Sequence, residues 1–331
     1  MSTTVSRPRL VVLRALGLGD LLTAVPALRG LRAGFPDHEI VLAAPSVLAP
    51  LVDMFGGVVD AVVDADFRER IGTLPDVLAR PDIAVNLHGR GPRSHAALSA
   101  LTPRRLLAFA DPDNAPHGPA WHAGEHERHR WCRLLAHHGI ATDADDMLLS
   151  PPAPPRGDVD VTHFADATVI HPGAASGARR WPVDRWAAVA RHERERGHAV
   201  VVTGGPDEGG LGDAVARFAG IDAGAVVAGR TGMVELAALV AAAGRVVCGD
   251  TGVAHLASAF ATPSVVLFGP TTPARWGPPA TRHHVALWAG RVGDPHGPEP
   301  DPGLLALSVG DVTAALDALP ERRARVGAGG P

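Results

Sequence analysis

The sequence predicts an α/β protein built as two doubly wound parallel-sheet domains. Three observations carry this. Short apolar runs alternate with stretches of helical spacing along nearly the whole chain, which is how a parallel sheet covered on both faces reads. A proline cluster at 151–156 (PPAPPR) interrupts the alternation, and the same grammar restarts behind it. With no periodicity of its own, that cluster reads as an extended, semi-rigid linker. The length of 331 residues exceeds the usual single-domain range, so two domains of ordinary size are expected, over 1–150 and 157–331.

Residues 9–14 (RLVVLR) form the first compact apolar run, and helical spacing follows Asp20 in LGLGDLLTAVPALRGLRAGFP. EIVLAAP, VVDAVVD and PDIAVNLHG (81–89) give three more buried-strand patterns. Around 121–138 (WHAGEHERHRWCRLLAHHG) the pattern is helical, with Trp131, Leu134 and Leu135 able to share a face. Behind the linker, ATVIHPGA is a strand and loop, and WPVDRWAAVARHERERG is a helix with proline near its start and glycine past its end. HAVVVTGGP is again strand and loop, followed by GAVVAGRTG, MVELAALVAAAG and RVVCGDTG. VAHLASAFA is a helix and SVVLFGP a strand. The tail, 311–331, contains a helix (VTAALDALPERRARV) and a frayed end, and could pack back on the N-terminal domain.

Composition narrows the function. Hydrophobic residues make up 46% and charged residues 20%, as in a well-buried globular protein, and the formal net charge of −4 excludes a strongly basic nucleic-acid or membrane-surface binder. All 31 basic residues counted as lysine or arginine are arginine, and tyrosine is absent, which reads as a biased codon pool. Any phosphate usually neutralised by lysine must here meet an arginine, whose planar fork binds phosphate oxygens bidentately. The two cysteines, Cys132 and Cys248, match no metal spacing and fit reduced thiols. The N-terminal stretch shows no signal peptide, and no run approaches the ~18 apolar residues of a spanning helix, so a cytoplasmic location is expected.

Three glycine-rich loops fall at strand ends, where open parallel sheets bind ligands. The first is Gly17-Leu18-Gly19-Asp20, between strand one and a helix. It is not the dinucleotide fingerprint, because Leu22 occupies the place of the third glycine. Asp20 reads either as a helix N-cap or as a general base that takes a proton from an attacking hydroxyl. The second loop, from His171 to Pro182 (HPGAASGARRWP), sets small residues beside Arg179 and Arg180; small residues let backbone N–H groups approach an anion that guanidinium groups also hold. The third, Gly249-Asp250-Thr251-Gly252-Val253-Ala254-His255, places the N–H groups of Thr251, Gly252 and Val253 at a helix start, suited to a diphosphate, with His255 one turn in.

Other patterns are less specific. Asp111-Pro112-Asp113 has the D-x-D form of metal-dependent glycosyltransferases, but Asp64-Ala65-Asp66 and Asp143-Ala144-Asp145 have it too. His122 and His126 stand four apart beside Glu125 and Glu127, a spacing that can grip zinc, although 17 histidines make chance clustering the better account.

In order and at proper spacing, VVLRALGLGD, NLHGRGPRS, HPGAASGARRWP, TGGPDE, GDTGVAHLA and VVLFGPTTP together resemble glycosyltransferase family 9, the ADP-heptose transferases of lipopolysaccharide core assembly. The resemblance runs over about 9–310. It implies the GT-B fold, two Rossmann-like domains with the active site between them, no metal and no cofactor, and a single inverting displacement. It implies that Asp20 is the general base and that Thr251, Gly252 and His255, with Asp250 nearby, hold the donor diphosphate. Arg179 stands where the family has a phosphate-binding lysine, with Arg180 beside it. Ser176 and Glu208 would lie near the nucleotide sugar. Gly19, Arg90 and Arg93 would face an acidic or phosphorylated acceptor.

The resulting expectation is a metal-independent glycosyltransferase moving a sugar, heptose first, from a nucleoside diphosphate, ADP first, to a glycan, lipid-linked or small-molecule acceptor. Nucleic acid is not a partner. A lipid-linked acceptor would bring weak peripheral contact with a membrane, although no amphipathic anchor stands out. The alternatives are a sugar-nucleotide epimerase on a similar fold and a nucleotide-sugar binder without turnover.

Overall fold

The structure is a computed structural model that describes residues 7–65, 73–153 and 159–321. Asp66, the end of the proline cluster from 154, and the last part of the tail from 322 lie outside the described residues. The chain divides into two compact units, 1–150 and 151–331. Among the described residues no helix is long and apolar enough to cross a membrane.

The N-terminal unit is built on β1 (Arg9–Leu13), β2 (Glu39–Ala44), β3 (Ala61–Asp64), β4 (Ile83–Asn86) and β5 (Arg105–Leu107). All pair in parallel, in the order β3-β2-β1-β4-β5. The helices are α1 (Leu18–Thr23), α2 (Val25–Gly34), α3 (Ala49–Val52), α4 (Arg93–Ala100) and α5 (Glu127–His137). Residues Leu10 to Leu13 of β1 are wholly buried, as a central strand covered on both faces must be. Val11, Leu13, Val41 and Ala84 from the strands meet Ala97 and Leu98 of α4 in one core cluster, each large apolar side chain contributing about 1.5–3 kcal/mol by leaving water. The helical pattern over 121–138 yields a helix only from Glu127, because His126 adopts an extended backbone and caps it, its ring accepting from the Arg128 N–H at 3.2 Å.

The C-terminal unit repeats the plan with β6 (Thr168–His171), β7 (Val200–Val202), β8 (Arg245–Gly249), β9 (Ser264–Phe268) and β10 (His284–Trp288), all parallel, in the order β10-β9-β8-β6-β7. Its helices are α6 (Val183–Glu195), α7 (Gly209–Ala219), α8 (Met233–Ala242), α9 (Gly252–Ala259), α10 (Pro273–Trp276), α11 (Pro302–Leu305) and α12 (Val309–Asp317). Beyond β7, Val202 makes a single parallel bridge to Val226, inside the GAVVAGRTG segment. Counting that bridge as a vestigial third strand gives the Rossmann order 3-2-1-4-5-6. Ile170, Val200 and Val202 pack with Trp181, Trp186 and Val189 in the unit's core.

The tail helix differs from expectation at both ends. It starts earlier, where the Ser308 hydroxyl accepts from the Asp311 N–H at 3.1 Å and the Asp311 carboxylate accepts from the Ser308 N–H at 2.8 Å. It stops at Asp317, three residues before Pro320. Its Val312 and Leu316 are fully buried in the C-terminal unit's own core, against α6 and β9.

Candidate functional site

Each sheet reverses strand order at one place, and the loops there diverge to leave a crevice at the strands' carboxyl ends. In the N-terminal unit this lies between β1 and β4, where Leu13 is opposite Asn86. In the C-terminal unit it lies between β6 and β8, where His171 is opposite Cys248. The residues singled out in the sequence gather at these two places.

At the first, Asp20 is the third residue of α1, not its N-cap; Gly17 takes that position with an extended backbone. The Asp20 carboxylate reaches back to accept from the Gly17 N–H at 3.3 Å, and its side chain stays 28% exposed. Gly19 lies one residue before it in the helix. Behind Asp20 is a residue the sequence reading missed. Arg14, fully buried, donates from Nε to the Asp20 carbonyl at 2.9 Å and lies 3.5 Å from its carboxylate. Across the switch point, Asn86 Oδ1 accepts from the N–H groups of His88 (2.9 Å) and Gly89 (3.3 Å), and its amide donates to Ser94 at 2.9 Å. This shapes the turn that presents Arg90 and Arg93, both exposed, on a cavity of about 350 Å³. Burial and the Arg14 charge push the His88 imidazole down to about 4, so it is neutral near pH 7. A larger cavity, about 650 Å³, lies at the opposite ends of the strands among Arg9, Glu39, Asp82 and Arg104; Arg9 pairs with Glu39 and Arg104 with Asp82, leaving a solvated ionic surface.

At the second switch point, α9 opens with Thr251 at its N-cap, whose side chain makes no capping hydrogen bond. The first-turn N–H groups of a helix have no acceptor within the helix, and Gly252 and Val253 occupy that turn. Arg179 is fixed beside it: Nη1 donates to the Asp250 carbonyl at 3.1 Å and Nε to the Ser176 hydroxyl at 3.4 Å. A cation therefore stands where the helix dipole is already positive, an arrangement suited to a doubly charged anion. Ser176 turns its own proton to the Pro295 carbonyl at 2.6 Å. Arg180 diverges from Arg179, donating to the Ala174 carbonyl at 2.9 Å and lying 3.5 Å from Glu208. Glu208 accepts from the Gly205 N–H at 2.8 Å and lies directly against Gly173, where a Cβ would come within 1.9 Å of its carboxylate. A side chain at 173 would push the Glu208 carboxylate out of this place.

His171 is buried, bonded through Nδ1 to the Thr203 hydroxyl at 3.0 Å, and desolvation pushes it down to about 4. His255 is 8% exposed and meets Trp276 edge-on, with ring centroids 5.9 Å apart. The segment after β10 clasps the Arg179 loop: the Ala178 N–H donates to the Gly297 carbonyl at 2.9 Å, and a Cβ on Gly177 would strike the Pro298 carbonyl at 1.6 Å.

The histidines near α5 have other work. His126 caps the helix, and His137 bonds the His117 carbonyl at 2.8 Å. Asp111 and Asp143 accept backbone N–H groups within their own turns. Among the described residues no group of three or more His, Cys, Asp or Glu side chains is placed to hold a metal ion. Cys132 and Cys248 are both free and buried.

The sequence profile of glycosyltransferase family 9 (heptosyltransferase) matches residues 123–296, more than half of the chain and most of the C-terminal unit. No curated protein sequence matches the chain. Solved structures match over nearly its full length. A glycosyltransferase family 9 protein from Veillonella parvula DSM 2008 is 19% identical, with a TM-score of 0.76 over 96% of this chain and 98% of that one. The E. coli ADP-heptose lps heptosyltransferase II is 20% identical, with a TM-score of 0.72 over 94% and 98%. E. coli heptosyltransferase WaaC with ADP is 18% identical, with a TM-score of 0.65 over 93% and 97%. The chain thus belongs to glycosyltransferase family 9 and is a glycosyltransferase of the GT-B fold.

Proposed function

We propose that the chain transfers a heptose from ADP-heptose to a hydroxyl of a glycan or lipid-linked acceptor, with inversion and without a metal ion. The observation that carries the reading is the pairing of Arg179 with the open N-terminus of α9 at the switch point of the C-terminal sheet. The neighbours crystallised with ADP or with ADP-2-deoxy-2-fluoro heptose bound support an ADP-linked donor.

In this reading the donor diphosphate lies on the first turn of α9, with Thr251, Gly252 and Val253, and against Arg179. Asp250, His255, Ser176, Arg180 and Glu208 border it. The acceptor lies against Arg90 and Arg93, close to Gly19. The acceptor oxygen attacks the anomeric carbon from the face opposite the diphosphate, and the carbon–oxygen bond to the leaving phosphate breaks. Asp20 takes the hydroxyl proton, and ADP leaves with the electron pair. Negative charge grows on the leaving phosphate in the transition state, where the helix dipole and the guanidinium stabilise it; they supply the charge for which other transferases use a divalent cation.

The first test is a thermal-shift panel of ADP-, GDP-, UDP- and TDP-linked sugars on protein treated with a chelator. A ligand that binds only the folded state raises the melting temperature. A rise with ADP-heptose is expected. A rise only with another nucleotide would replace the donor, and no rise with any of them would overturn the donor site.

A further inference from the structure

Asp20 is backed by a chain of buried charges that reaches α5. The Arg14 guanidinium that contacts Asp20 also lies 3.3 Å from Glu127 Oε1, donates to the Leu87 carbonyl, and donates to the Thr23 hydroxyl at 3.1 Å. Glu127 Oε2 accepts from Arg130, whose other nitrogen Nη2 donates to the carbonyls of His122 and Glu125, both at 2.9 Å. Arg14 lies over the Trp131 ring at 4.8 Å, and Arg130 over the Trp121 ring at 4.1 Å. Glu127 is 5% exposed and Arg130 1%. Charges so far from water persist only when paired, and here two carboxylates answer two guanidiniums.

Arg14 is therefore shared. Glu127 draws part of its charge away from Asp20, and Arg130 limits how much Glu127 can draw. We propose that Glu127, held by Arg130, is a positioning residue for the transfer reaction, fixing Arg14 and thereby the placement and electrostatic surroundings of the Asp20 carboxylate. This rests on the reading of Asp20 as general base. The groups facing Asp20 are Arg14 from β1, His88 from the loop after β4, and the Gly17 N–H of its own loop. Glu127 and Arg130 act on it from α5 through Arg14.

The test is the pH profile of ADP release from ADP-heptose, with water as the accepting nucleophile. Glu127→Gln keeps the side-chain shape and leaves the Arg14 charge undivided on Asp20. The expected result is a kcat plateau lowered roughly tenfold, an unchanged KM for ADP-heptose, and an acid limb of kcat displaced to lower pH. Arg130→Gln lets Glu127 draw harder on Arg14, so its acid limb moves to higher pH. Either variant decides if the other does not fold. A lower plateau with an unmoved limb in the folding variants would reflect only lost folded enzyme and would overturn the proposal, as would an acid limb that vanishes in His88→Gln. Asp20→Asn separates the two claims. Unchanged kcat in that variant defeats the general-base reading, whereas a collapse of kcat beside unmoved limbs defeats only the role of Glu127.

Discussion

The two units put a helix N-terminus at the same topological place and use it in opposite ways. In α1 the helix's own Asp20 folds back onto the Gly17 N–H, so the positive end of the dipole is answered from within the chain. In α9 the N-cap Thr251 makes no such bond, and an arginine stands beside the opening instead. The first arrangement presents a carboxylate that can accept a proton. The second presents a positive concavity that needs an anion to complete it. Fold fixes where the two helix starts lie; one or two side chains of the first helical turn decide the charge each presents.

The sharpest way to break this contrast is Asp20→Asn. It should lower kcat by roughly 10²–10⁴-fold, the scale of a lost general base, while the Kd for ADP-heptose, measured by calorimetry, stays unchanged. Weakened donor binding would show that the halves are not chemically separate.

Acid should act on the C-terminal unit through His171. Its imidazole is held neutral down to about 4, against 6.5 for the free group. As pH falls below 6.5 the unfolded chain binds a proton that the folded chain refuses, so stability declines between about pH 6.5 and 4 and is level above. The full loss is on the order of 3 kcal/mol. In denaturant melts from pH 7.5 to 4.5, His171→Gln should flatten the slope; an unaltered slope would deny His171 this part.

Arg179→Ala should weaken ADP-heptose by roughly 10- to 100-fold, the range for a charge-assisted hydrogen bond, with Arg179→Lys recovering part of it. Unaltered affinity in the alanine variant would remove the cation from the donor site. The smallest effect is expected for Arg180→Ala. Its side chain is 48% exposed and turned toward Glu208, so donor affinity should change less than about threefold. A loss matching that of Arg179→Ala would mean that Arg180 swings onto the phosphate when donor binds.

Much of this was legible in the sequence because the informative features are local. The strand patterns at 9–14, 81–89 and in RVVCGDTG report their own burial, and the loop motifs sit directly behind them. Two edge strands, β5 and β10, were not legible. β5 has three residues with one fully buried, and none of the five in β10 is fully buried, so neither stands out as a core run. The surroundings of Asp20 were only half legible. Asp20 belongs to a recognisable loop, but Arg14 and Glu127 are joined across 113 residues, and no short pattern reports a buried ion pair of that span. The divergence of Arg179 from Arg180 is likewise hidden, because adjacent identical residues look equivalent until the backbone turns them apart.

Ser176 and Pro295 are 119 residues apart in sequence yet hydrogen-bonded, and Gly177 lies flush against Pro298. The loop that holds Arg179 and the ribbon after β10 therefore behave as one lip of the proposed donor site. A change in length or proline content between 289 and 301 would be transmitted to Arg179 without altering any residue assigned to the diphosphate. That ribbon is free of β-ladder constraints, so insertions and deletions there could move Arg179 while both sheets keep their register.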